Sequence, residues 1–139
     1  MNIDATNMIL GRLASKVAKA ALNGETITIV NCENAIISGT RKNVFDRYKI
    51  GRLRGTPFTG PFTPRSAERI VKRTIRGMLP HKQDRGREAM KRIICYRGIP
   101  DILKNDKFEK IKEADMETRL NSPKFVTVKE LSHYLGARI

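Results

Sequence analysis

The sequence predicts an α/β fold on three observations: a strand-helix-strand opening, a strand-like run at Ile93-Ile94-Cys95-Tyr96 that follows helical stretches, and enough apolar residues for one core. Parallel strands need crossover connections, usually helices, and an opening in this order would provide one. The chain has 139 residues, 40% of them hydrophobic and 30% charged. That composition suits a single core beneath a heavily charged surface. We expect one domain over 1–139, carrying a basic loop-helix segment at 41–92 and a C-terminal tail at 99–139.

Each element has a local reason. Asn2 to Thr6 alternates weakly, as a half-buried strand does. Leu10, Leu13, Ala14, Val17, Ala18, Ala21 and Leu22 then recur at helical spacing, and Asn23-Gly24 supplies the stop. Thr26-Ile27-Thr28-Ile29-Val30 has the β-branched content of a strand. The short apolar run Ala35-Ile36-Ile37 leads into Ser38-Gly39-Thr40, a turn suited to cap a helix from Arg41 with Val44, Phe45 and Tyr48 on its buried side.

From Gly51 to Pro64 glycines and prolines break the pattern, which predicts a loop. Its Phe58 and Phe62 suit stacking on unpaired bases, but phenylalanines flanked by prolines more often pin a loop to its own core, and we expect packing. Thr63-Pro64 predicts the next helix start, with Thr as N-cap and Pro at the first helical position. At the pitch of a helix, Arg65, Arg69, Lys72, Arg73 and Arg76 fall within an arc of about 100°, opposite Ala67, Ile70, Val71, Ile75 and Met78. Arg76 to Lys82 ends that helix, and Asp84 to Arg92 reads as a short basic one. Thr127-Val128-Lys129-Glu130 is a capping box ahead of Leu131, Tyr134 and Leu135, so a short helix should close the chain.

Charge is the first clue to function. The chain holds 28 Lys and Arg against 14 Asp and Glu, a net +14. Residues 41–92 carry 16 basic and 4 acidic residues, so +12 of the excess lies there. An evenly solvated surface mixes both signs, whereas one sign concentrated in one segment is a footprint for phosphates. A membrane reading wants a long apolar span or a basic amphipathic helix with large apolar anchors, and the chain has no such span. Its start lacks the order of a secretion signal, so an intracellular location is expected.

Motifs for chemistry are missing. Gly51, Gly55 and Gly60 lack the Lys that a phosphate-binding loop requires. Asp46, Glu68, Asp84 and Glu88 are scattered among cations instead of gathered for a metal ion. His81 and His133 have no nucleophile motif nearby. Cys32 and Cys95 match no metal or disulfide pattern and read as small buried apolar residues. We expect no enzyme, no cofactor, no metal and no small-molecule substrate.

Three stretches resemble a known family. They are Ile3-Asp4-Ala5-Thr6 with Leu10-Gly11-Arg12-Leu13-Ala14-Ser15; Ile29-Val30-Asn31 to Ser38-Gly39; and Arg76-Gly77-Met78-Leu79-Pro80 with Arg85-Gly86-Arg87 and Tyr96-Arg97-Gly98-Ile99-Pro100. Together they resemble the large-subunit ribosomal protein L-thirteen family in its archaeal and eukaryotic form, over about two thirds of the chain. The resemblance implies a three-layer α/β/α fold with a short, mostly parallel four-stranded sheet. It also implies a cytoplasmic place in the large ribosomal subunit, contact with 23S-type rRNA, and neighbouring ribosomal proteins as partners.

By motif match, RNA contact is expected at Arg12, Arg41, Lys42, Arg76, Gly77, Lys82, Arg85 and Arg87. The charge pattern adds Arg52, Arg54, Arg65, Arg69, Lys72, Arg73 and Lys91. Glycines such as Gly77 and Gly86 are expected to let backbone approach the ligand. The alternative, a DNA- or messenger-RNA-binding regulator, shares the charge but calls for a dimer seam or base-reading helix that the sequence does not display.

Overall fold

A computed structural model describes residues 1–119 and 124–137. In chain order the elements are β1 (Asn2–Asp4), α1 (Leu10–Leu22), β2 (Ile27–Val30), β3 (Ile36–Ser38), α2 (Arg41–Leu53), α3 (Ala67–Gly77), α4 (Asp84–Lys91), β4 (Ile93–Cys95), α5 (Met116–Arg119), β5 (Phe125–Thr127) and α6 (Val128–Tyr134). The strand-helix-strand opening forms as expected: β1 runs parallel to β2 with Ile3 opposite Ile29. β4 adds in parallel on the other side of β2, with Ile27 opposite Ile93.

Paired residues of parallel strands share a face, so Ile3, Ile27, Ile29 and Ile93 form one apolar surface, and all four are fully buried. α1 covers it with Leu10, Leu13, Ala14, Val17, Ala18 and Ala21, and α3 with Ile70, Val71 and Ile75. Each large side chain buried in this way stabilises the fold by roughly 1.5–3 kcal/mol relative to exposure. The tail joins the same cluster through Ala114, Val128, Leu131 and Leu135.

The expected four-stranded sheet is corrected to a three-stranded parallel sheet, β1-β2-β4, and a separate antiparallel pair, β3-β5. The place beside β1 where a fourth strand would lie holds a single parallel bridge between Ile3 and Glu109. There the Asp4 N–H donates to the Glu109 carbonyl at 3.1 Å and the Glu109 N–H to the Asn2 carbonyl at 2.9 Å. Glu109 lies in the run Lys107-Phe108-Glu109-Lys110, which lacks the β-branched residues that prolong a strand.

The two faces of the sheet are covered unequally for a topological reason. Moving from β1 to β2 to β4 follows one direction, so right-handed crossovers put α1, α3 and α4 on one face, where α1 packs against both others. The return from β4 to Glu109 crosses the opposite face, which carries half-buried Asn2 and Thr28 and exposed Ile94. That return contains only a 3-10 turn, Asp101–Leu103, and the Asn2 amide donates to Asp106 at 3.0 Å.

Local signals held unevenly. Thr40 caps α2 by accepting from the Asn43 N–H, and Thr127 caps α6 by accepting from the Glu130 N–H. α3, however, starts at Ala67 after Ser66, three residues later than Thr63-Pro64 predicts. The Ser132 hydroxyl on α6 donates to the Arg65 carbonyl at 2.7 Å, and that tertiary bond goes with non-helical backbone ahead of Ser66. Cys32 is buried and Cys95 half-buried, as free thiols brought side by side. A hydrogen bond to Cys95, then burial, pushes the Cys32 thiol up, and the same bond holds Cys95 down.

Asp4 staples the end of β1 to the residue after β2. One carboxylate oxygen accepts from the Thr6 N–H at 3.0 Å, the Thr6 hydroxyl at 2.7 Å and the Asn31 amide at 2.9 Å. Burial alone would raise its pKa, but these three hydrogen bonds and the charge of Lys110 outweigh it and leave the group below its ordinary value. A depressed carboxylate adds stability above its unfolded value and loses it as pH falls through the folded one. The gap in thermal midpoint between the parent and Asp4→Asn should therefore hold steady above about pH 5 and shrink as the acid form fills at lower pH. A gap that widens in acid would refute this reading.

Candidate nucleic-acid interface

The sequence of α3 determines which way its cations point. Ala67, Ile70, Val71 and Ile75 must face the core, and all are buried. Arg69, Arg73 and Arg76 are consequently exposed, and Lys72 is half-buried at the edge. Together with Arg65, just ahead of the helix, they line a groove of about 710 Å³. Its other walls are Phe62 to Ser66 of the preceding loop, Met90 of α4, and Gly136-Ala137 after α6.

Among the described residues, no carboxylate lines this groove. Among the described residues, Arg65, Arg69, Lys72, Arg73 and Arg76 have no salt-bridge partner. Arg73 instead donates to the Phe62 carbonyl at 2.5 Å, which ties the loop to α3. Five like charges around one concave surface reinforce one another, and a cleft walled by protein focuses the resulting field. Arginine suits such a place because its planar fork donates two hydrogen bonds to one phosphate.

The other sequence-predicted residues lie outside the groove. Arg12 is exposed on α1, and Arg41 and Lys42 are exposed on the first turn of α2, with the Arg41 guanidinium 5.1 Å from the centre of the Phe45 ring. Arg52 donates to the Leu135 carbonyl at 3.0 Å and, with Lys49, Leu53 and Tyr134, borders a second groove of about 350 Å³. Arg54 caps the end of α2, and Lys82 and Arg85 are exposed around the turn into α4. Arg87 is ion-paired with Asp84, and Lys91 with Glu88 at 2.8 Å. Exposed pairs of this kind contribute at most about 1 kcal/mol, so a phosphate competes with them easily.

Gly77 is exposed at the end of α3, with open space where a Cβ would sit. Gly86 overturns its expectation. It is buried, and a Cβ there would stand 2.1 Å from the Pro80 carbonyl oxygen, so its role is to seat α4 against the preceding turn.

The loop phenylalanines also correct the sequence reading. Phe58 is 94% and Phe62 67% exposed, so neither pins the loop to the core. Hydrogen bonds within the loop set its shape instead: the Gly60 N–H donates to the Thr56 carbonyl at 3.0 Å, and the Thr56 and Thr59 hydroxyls bond at 2.6 Å. Gly55 makes the turn possible, since its φ is +84° and a Cβ would collide with the Gly60 carbonyl. Sequence reasoning missed Phe62 and Met90 as groove residues and Tyr134, stacked on Phe45 at 4.3 Å, as a wall of the second groove. One available signal was the run 47–67, which contains five cations and no carboxylate.

Among the described residues no group of His, Cys, Asp or Glu is placed to hold a metal ion, and no helix is long and apolar enough to cross a membrane. The arrangement concentrates positive charge in one groove and spreads further exposed cations around it.

Comparison with known proteins identifies the family. The family model described as Ribosomal protein L13 matches residues 1–101. The large ribosomal subunit protein uL13 of Archaeoglobus fulgidus is 51% identical over 98% of this chain and 87% of its own length. The protein of the same name from Methanococcoides burtonii is 48% identical over 98% and 97%. That from Haloarcula marismortui is 42% identical over 97% and 90%. With a family match over residues 1–101 and such identity over nearly the whole length, the chain belongs to the ribosomal protein L13 family.

Proposed function

We propose that this chain is a structural, non-enzymatic constituent of the large ribosomal subunit in the cytoplasm, where it binds large-subunit rRNA and contributes to subunit assembly. The observation that carries the reading is the groove on α3, lined among the described residues by five cations and no carboxylate, in a chain whose relatives are named large ribosomal subunit proteins. The whole chain acts as one domain, with 41–92 as its RNA-facing segment and the tail 99–139 completing the scaffold. Arg65, Arg69, Lys72, Arg73 and Arg76 hold phosphates in the groove. Arg12, Arg41, Lys42, Arg52, Arg54, Gly77, Lys82, Arg85, Arg87 and Lys91 extend the contact over the surrounding surface, and the 23S-type rRNA and neighbouring subunit proteins are the partners.

The purified protein should sediment with large ribosomal subunits in moderate salt. Its affinity for large-subunit rRNA should fall with log salt at a slope of about −4 to −5 if about six phosphates are neutralised. Protein that stays at the top of the gradient, or a flat salt response, would count decisively against the proposal.

A further inference from the structure

Phe62 stands at the rim of the cationic groove, 67% exposed, and so forgoes the stabilisation that burial gives an aromatic side chain. It is nonetheless held in place. Arg73 binds its carbonyl at 2.5 Å, and its ring lies so close to Gly60 that a Cβ there would sit 3.1 Å from the ring carbons. Gly60 has φ +81°, a conformation that favours glycine. The chain thus fixes an apolar ring beside Arg65, Arg69, Arg73 and Arg76 and leaves it uncovered.

Charge decides what kind of partner fits. Arg47, Lys49, Arg52, Arg54 and Arg65 occur between residues 47 and 67 without a single carboxylate. A polyanion that also has flat apolar faces satisfies both features, and single-stranded nucleic acid has that chemistry. An RNA duplex does not: its base faces are hidden in the stack, and its deep major groove is too narrow for side chains to read.

We infer that this groove receives an unpaired stretch of RNA, its phosphates on Arg65, Arg69, Arg73 and Arg76 and one splayed base stacked on Phe62. The inference rests on the RNA-binding reading above and deepens it by naming an unpaired segment as the ligand.

The test uses the full chain with a short single-stranded oligoribonucleotide containing 2-aminopurine, and the same oligonucleotide annealed to its complement. Stacking on Phe62 should quench the single strand's fluorescence on binding. Phe62→Ala should weaken single-strand affinity by roughly 5- to 100-fold and remove the quenching, with the duplex unaffected. Phe62→Tyr should restore both. Because the ring is exposed, the thermal midpoint of each variant should match the parent.

Single-strand affinity unchanged in Phe62→Ala would overturn the stacking proposal. So would its retention together with loss of the variant from reconstituted particles, which would mean that a protein covers the ring. A parent chain that binds neither oligonucleotide nor rRNA would instead sink the underlying RNA reading.

Discussion

Replacing Arg65, Arg69 and Arg76 together by Gln should weaken binding to large-subunit rRNA by about 10²- to 10³-fold near 0.1 M salt, and make the salt slope about 2 to 3 units shallower. Both numbers come from the same physics, because each lost phosphate contact removes one released counterion and about 0.7 to 0.9 of slope. Gln keeps the polarity of the site while removing the charge, so the change in slope counts contacts directly. None of the three side chains has a hydrogen-bond or salt-bridge partner among the described residues, and the fold should not suffer. The thermal midpoint should stay level or rise slightly, since mutual repulsion of the groove cations is relieved. An undiminished slope, measured by filter binding across a salt series, would remove this groove from the interface.

Gly86→Ala should destabilise the fold by about 3 kcal/mol, the upper end of overpacking costs, and lower the thermal midpoint by roughly 10 °C. Two effects oppose each other here. Alanine in place of glycine favours a helix by at most about 1 kcal/mol, and position 86 lies in the first turn of α4, where the gain is smaller. Against it stands a Cβ 2.1 Å from the Pro80 carbonyl oxygen and 2.9 Å from the His81 nitrogen, both backbone atoms that cannot swing aside. α4 must shift bodily, and Lys82, Arg85 and Arg87 move with it. Gly77→Ala is the control, because its Cβ enters open space and stability should change by less than about 0.5 kcal/mol. Reduced rRNA affinity in that control with an unchanged midpoint would place Gly77 against the ligand. A Gly86→Ala chain as stable as the parent would show that the turn at Pro80 yields and that the packing argument is wrong.

Most of what is legible in the sequence comes from patterns shorter than a helix. The α1 stripe, the Thr40 and Thr127 caps, the β-branched run of β2 and most of the apolar face of α3 depend on neighbours within a few residues and formed where expected; Met78, expected on that face, follows the helix and is exposed. The direction of the α3 cations follows from the same stripe, which is why the heart of the candidate site is legible in the residue pattern alone. β5 was not legible, since three residues pair with β3 across some 90 positions of sequence and the only local signal was the cap that follows them. The late start of α3 was equally hidden, because a hydroxyl on α6 holds the backbone that Thr63-Pro64 would have turned into helix. Phe58 and Phe62 misled for a related reason: the loop closes through its own threonines and Gly55, and leaves its aromatic rings outside.

Taken alone, the order of residues determined that the chain is α/β, that its positive charge is concentrated between 41 and 92, and that it bears the landmarks of its family. These properties are local or additive, and no distant contact is needed to establish them. Only the tertiary structure decided that the sheet has three strands with a one-residue bridge in the fourth place, and that Gly86 serves packing. It also decided that Phe62, Met90 and Ala137 close a groove around the α3 cations. Each of these turns on which atoms from remote segments arrive at one place, and a pattern of neighbouring residues carries no information about that distance.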